Sequence, residues 1–184
     1  MEAPILETSR LAWPDESACA ETAARIAAAT LRHTETHDAF IELHGPLGAG
    51  KTTFARHLLH ALGVEGTIKS PTYTLMEPYR ADAIPGGLSV SHFDFYRFDV
   101  PREWEDAGFR EVFAAPGLKV CEWPEKAQGL LPRADLRVTI VPRDDPHPAL
   151  HPGPQPQAGE GGAAAERRDV RIDALTATGL LLLP

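Results

Sequence analysis

The sequence predicts an α/β fold, with a mainly parallel central sheet flanked by helices and antiparallel strands at its edge. Three observations lead to it. Short apolar runs alternate with helix-patterned stretches through residue 125. A glycine-rich loop at 45–51 joins one of those runs to one of those helices. The C-terminal part returns to alternating strands that suggest a hairpin with an overgrown loop.

Each element has its own reason. Residues 15–32 carry Ala23, Ile26, Ala27 and Leu31 among many alanines, with Asp15 or Ser17 as cap, and read as the first helix. Residues 39–44 are a short apolar run, read as a buried strand. Thr52 to Leu62 sets Phe54, Ala55, Leu58, Leu59 and Leu62 on one helical face, and Gly63 stands at the C-cap position. Pro71 and Pro78 forbid a long helix, so 67–80 is expected to be extended. A turn at 81–87, a strand at 88–94 and one or two short helices in 101–113 follow. Residues 118–122 form another apolar strand, with a helical start at Pro124. Leu136, Val138 and Ile140 alternate with Arg137 and Thr139, the pattern of a half-buried strand. Residues 142–166 hold six prolines and four glycines and almost no large apolar residue, so a flexible insert is expected there. Val170 and Ile172 mark a strand at 167–174, and Leu180–Leu183 suggests a last short one.

Composition bounds the function. A length of 184 residues suits one domain with a real core, expected to span 1–184. The longest apolar run, Leu180–Leu183, is far too short to cross a membrane, and the first residues lack the pattern of a secretory signal. Cytoplasm is the expected compartment. Cys19 and Cys121 make neither a disulfide framework nor a zinc site, and Cys121 reads as a buried thiol. A net charge of −8 argues against a protein that grips nucleic acid mainly by its own surface.

The chemistry starts at Gly45-Pro46-Leu47-Gly48-Ala49-Gly50-Lys51-Thr52, which is G-x-x-x-x-G-K-T. In this pattern glycines let backbone N–H groups curl around a phosphate, and the lysine reaches the β- and γ-phosphates. The threonine hydroxyl ligates Mg²⁺, and the following helix adds the positive end of its dipole. Strand, loop and helix stand in the required order. Residues 45–52 and the adjoining Thr53 are therefore the nucleotide-binding candidates, with ATP and Mg²⁺ as cofactors.

Thr52 supplies one neutral oxygen, so a partner carboxylate is needed for the metal. Asp94 and Glu122 each close an apolar strand, and ligands in such sheets bind beyond the carboxyl ends of the strands. Either acid could equally be a solvated strand-end group. Ser70 and Thr72 offer hydroxyls for a switch-like loop, against the alternative of an ordinary Ser-Pro turn. His92 reads as structural more readily than as a base, and Trp123 as packing or a wall of the site. Lys51, Asp94 and Glu122 are the catalytic candidates.

HGPLGAGKTTFARHLLHALG, then KSPTYTLMEPY, HFDFYR, EDAGFREVF and VCEWPEKA, in that order and spacing, resemble the TsaE family, also called YjeE. The resemblance covers about 12–141 and resumes at 167–179. It implies a P-loop ATPase, slow by itself, that serves threonylcarbamoylation of adenosine 37 in tRNAs reading codons that begin with A. It also implies two protein partners, TsaB and TsaD, with tRNA met only through the complex. By resemblance Thr52 and Glu122 would ligate Mg²⁺, and Lys51 and the loop backbone would hold phosphates. Asp94 would order the metal's water or the attacking water. Ser70 and Thr72 would belong to a switch-like loop, Glu16 would lie beside the adenine, and Arg168 would contact the nucleotide. The chain departs from the family at Pro46, where Asp or Asn is usual, and in the length of its Pro/Gly-rich insert. Two other classes compete: a small-molecule P-loop kinase, and a nucleotide-gated binding module that does not hydrolyse. A GTPase is disfavoured because no N-K-x-D motif occurs.

Overall fold

A computed structural model describes residues 4–143 and 167–184. Its strands are β1 (Glu7–Trp13), β2 (Phe40–His44), β3 (Met76–Ala81), β4 (Leu88–Asp94), β5 (Leu118–Glu122), β6 (Leu136–Pro142) and β7 (Arg168–Ala174). Its α-helices are α1 (Glu16–Arg32), α2 (Lys51–Ala61), α3 (Pro101–Asp106), α4 (Phe109–Ala114) and α5 (Ala177–Leu182). The strands make one sheet in the order β1-β7-β6-β2-β5-β4-β3. β4, β5, β2 and β6 run parallel, while β3, β7 and β1 join antiparallel at the two edges. The expected architecture is the observed one.

The sheet separates two cores. On one face α1 and α2 pack Ile26, Phe54, Leu58 and Leu59 onto Ile41, Leu43, Val120 and Val138. On the other, α3 and α4 bring Trp104 and Phe109 against Phe93, Phe95 and Cys121. Because β5 is covered on both faces, all five of its residues are buried, the charged Lys119 and Glu122 included. β6 is covered on one face, and its alternation survives as buried Leu136, Val138 and Ile140 between half-buried Arg137 and Thr139.

Local chemistry sets the helix ends. Asp15 caps α1, its carboxylate accepting from the Ala18 N–H at 3.0 Å. Past the end of α2, Gly63 takes φ +89°, and a Cβ there would lie 2.6 Å from the Ala83 backbone nitrogen. Only glycine suits both demands.

Three expectations need correction or refinement. β1 is a strand that periodicity did not reveal. Among its apolar residues, only Leu11 and Trp13 are large and face a core. Its place comes from seven register pairs with β7 and from Thr8, which donates to Asp173 Oδ1 at 2.6 Å. Leu180–Leu183 is not a strand: Thr176 caps a helix by accepting from the Gly179 N–H at 3.1 Å, and within α5 Leu182 is buried while Leu180 and Leu181 are exposed. A short apolar run does not distinguish the two states by itself. The extended stretch 67–80 pairs only from Met76 onward, with Pro78 tolerated because β3 is an edge strand. Of the expected insert at 142–166, Pro142 ends β6 and Arg143 donates its N–H to the Arg167 carbonyl at 2.8 Å. Residues 144–166 lie outside the described residues.

Candidate nucleotide and metal site

Parallel strands whose ends are level create the site. Leu43 and Asp94 both stand in register with Glu122, so β2, β5 and β4 finish side by side. The loop leaves β2 there and leads into α2. A crevice of about 340 Å³ at this edge is lined by Leu47 through Thr53 of the loop, by Ser70 and Thr72, by Asp94 and Glu122, and by Arg168. Gly45 and Pro46 are not among its lining residues. Gly45 has φ +142°, and a Cβ on it would sit 2.3 Å from the Ile140 carbonyl oxygen, so the entry to the loop passes directly against β6. Glu16 lies outside this crevice, in a neighbouring hollow of about 80 Å³ with Trp13, Cys19 and Thr53. Gly50 and Arg168 border both spaces.

Lys51 is buried, and its ammonium donates to the Gly45 and Pro46 carbonyls at 2.6 and 2.9 Å. It also lies over the Trp123 ring, 3.8 Å from the centroid. Burial lowers its pKa from the ordinary lysine value, and the negative charges of Glu122, Glu125 and Asp94 oppose that shift. Trp123 itself has φ +56°, a left-handed backbone that a bulky residue adopts only where its surroundings hold it.

Thr52 donates to Glu122 Oε2 at 2.8 Å. The other oxygen of Glu122 meets His92 Nε2 at 2.9 Å. Asp94 is held at both oxygens: Oδ1 accepts from the Tyr96 N–H at 2.9 Å, and Oδ2 accepts from Thr72 at 2.9 Å and closely from Ser70. The Ser70 and Thr72 hydroxyls are themselves 2.9 Å apart. Arg168 donates from Nε to the Ala49 carbonyl at 2.7 Å, tying β7 to the loop. Glu16 pairs with His57 at 2.9 Å on the exposed side of α2.

The donor set suits a hard cation. Thr52 Oγ1 and the two buried carboxylates of Glu122 and Asp94 are all oxygens. Mg²⁺ takes such ligands sparingly and fills the rest of its octahedron with water and phosphate oxygens. Among the described residues no group of three or more His, Cys, Asp or Glu side chains is arranged to hold a metal unaided. A cation here would need oxygens from elsewhere, as one bound with a nucleotide has.

The structure therefore brings together Lys51, Thr52, Asp94, Glu122, Ser70, Thr72 and Arg168, with Glu16 one hollow away. Sequence reasoning undervalued His92, read as structural, and Trp123, read as packing or wall. The signal for His92 was present: two residues before Asp94 on a strand, it shares that residue's face. Nothing in the sequence announces that the Trp123 ring lies under Lys51. Arg97 stacks over the exposed Tyr73 ring at 4.4 Å.

Comparison with known proteins points to one family. The family model described as "Threonylcarbamoyl adenosine biosynthesis protein TsaE" matches residues 13–147. A tRNA threonylcarbamoyladenosine biosynthesis protein TsaE from Haemophilus influenzae is 42% identical over 133 residues, 72% of this chain and 81% of that protein. One from Bacillus subtilis is 35% identical over 100 residues, 54% of this chain and 60% of that protein. The crystal structure of Bacillus subtilis YdiB superposes with a TM-score of 0.69, covering 98% of this chain and 94% of that one. At 20% identity, that likeness speaks for the fold alone. No helix among the described residues is long and apolar enough to cross a membrane. Motifs, fold and relatives converge, and the chain belongs to the TsaE family.

Proposed function

We propose that this protein binds Mg-ATP in the crevice and hydrolyses it in support of threonylcarbamoylation of adenosine 37 in tRNAs that read codons beginning with A. It works with TsaB and TsaD, and ATP turnover resets that assembly between rounds. The observation that carries the reading is the contact between Thr52 and Glu122, beside Lys51 and the phosphate loop. Hydroxyl and ammonium from the first turn of α2 meet the carboxylate that ends β5 at the level strand ends, which is the equipment of phosphoryl transfer.

Each residue has a task. Lys51 exchanges the Gly45 and Pro46 carbonyls for phosphate oxygens, so its charge is held in place before substrate arrives. The loop amides face the phosphates, although Pro46 contributes none. Thr52 and Glu122 would hold the cation, and Asp94 orders water at its edge. When bound, Mg²⁺ neutralises charge developing on the β- and γ-phosphate oxygens. Ser70 and Thr72, hydrogen-bonded to Asp94, release it when the nucleotide engages that carboxylate.

The latch on Asp94 also favours a second reading, in which nucleotide binding alone reorders residues 70–75 and docks a partner without hydrolysis. The test is ATP hydrolysis by the purified chain with and without TsaB and TsaD. Stimulation by the partners that disappears in Glu122→Ala supports the ATPase. Modification that continues through many rounds with Glu122→Ala supports the gated module instead.

A further inference from the structure

His92 has no solvent exposure. On β4 it follows Leu88 and Val90 along the face that packs on the α1 and α2 side, where an aliphatic residue would continue the core without burying polar atoms. Its Nε2 lies 2.9 Å from Glu122 Oε1, while its Nδ1 is buried with no hydrogen-bond partner among the described residues. A buried polar atom without a partner carries a desolvation penalty, so packing alone does not account for an imidazole here. What the ring does provide is a second anchor for Glu122. Thr52 fixes one oxygen, and a carboxylate held at one oxygen still pivots. A donor from the neighbouring strand, rigidly packed behind it, removes that freedom.

We propose that His92 is a positioning residue, in which Nε2–H holds Glu122 Oε1 so that Oε2 stays with Thr52 at the metal-facing edge. The inference rests on the reading that Glu122 serves a nucleotide-bound Mg²⁺. It specifies a tautomer: Nε2 carries the hydrogen, because an ionised carboxylate only accepts, and the partnerless Nδ1 keeps its lone pair. It also specifies which amide can replace the ring. Glutamine places an N–H near the position of Nε2, whereas asparagine places one near Nδ1, short of Glu122.

Two measurements decide it. The first is long-range ¹⁵N–¹H correlation on histidine-labelled, nucleotide-free protein, which reads the His92 tautomer with no activity involved. An Nε2–H ring is expected, and an Nδ1–H ring overturns the proposal because Glu122 would then be the donor. The second is the affinity of a non-hydrolysable ATP analogue with and without Mg²⁺. In His92→Asn and His92→Leu the Mg²⁺-dependent gain in affinity falls by about 10- to 100-fold, while metal-free binding is kept and His92→Gln retains the gain. Equal losses in all three variants, or none in any, overturn it. If the variants do not fold, the tautomer of the unaltered chain still decides. Failure of the ATPase reading is recognised separately, as an unaltered protein that does not hydrolyse ATP with its partners.

Discussion

Thr52 and Glu122, seventy residues apart, are joined by a 2.8 Å hydrogen bond from hydroxyl to carboxylate. The bond links the first turn of α2 to the last residue of β5, so the glycine-rich loop and the acid proposed to face the metal are joined before any ligand arrives. Thr52→Ala removes both the bond and one of the oxygens proposed to hold the cation. The expected result is a 10- to 100-fold loss, on the order seen for metal-site partners, in Mg²⁺-dependent nucleotide affinity, with Thr52→Ser restoring most of it. Titration of a fluorescent ATP analogue with and without Mg²⁺ checks this.

Lys51→Ala deletes the ammonium poised on the Gly45 and Pro46 carbonyls. Turnover in the assembly with TsaB and TsaD is expected to fall about 10²- to 10³-fold, the usual cost of losing one preorganised charge-stabilising donor. A single-turnover hydrolysis assay measures it. An unchanged rate would remove Lys51 from the mechanism.

Ser70→Ala with Thr72→Ala unlatches Asp94. Hydrogen bonds to a charged group contribute about 1.5–3 kcal/mol each. Backbone amides around residues 70–75 should therefore exchange faster in the double variant, while those of β5 keep their protection. Hydrogen-exchange mass spectrometry reads the two segments separately.

Phe93 is fully buried in the second core, its ring 4.7 Å from Phe113 and 5.4 Å from Phe109 between centroids. Phe93→Ala should destabilise the fold by about 3–5 kcal/mol. Chemical denaturation reports the change, and a loss under 1 kcal/mol, about the cost of a volume-conserving swap, would contradict this packing.

Burial raises the Cys19 pKa from 9.0 to about 12, with Glu16 adding to the shift and Arg168 opposing it. Between those values the unfolded chain has released the thiol proton and the folded chain has kept it, so stability declines as pH rises through that window. Cys19→Ala should flatten the decline, as pH-dependent denaturation would register. Alkylation of Cys19 should be slow at neutral pH, because the thiolate is the reactive form.

Much of the site was legible because its chemistry lies in local strings. The loop declares itself by its glycines, and Asp94 and Glu122 by ending short apolar runs that read as strands between helix-patterned stretches. The contact of His92 with Glu122 was hidden, since register between β4 and β5 decides which strand residues meet. β1 was hidden for a related reason: its stability comes from pairing with a segment more than 150 positions away, and its own apolar signal is weak. Leu180–Leu183 misled because its capping threonine lies ahead of the leucines that suggested a strand.

The order of the sheet has a consequence for how the molecule comes into being. β7 enters between β1 and β6, and among the described residues it is the one strand that β1 pairs with. During synthesis β1 is made well before β7 and must wait, unpaired, for it. The crevice waits too, for Arg168 at the start of β7 to reach the Ala49 carbonyl. A nascent chain released before that point would carry every residue of the phosphate loop and an unfinished site.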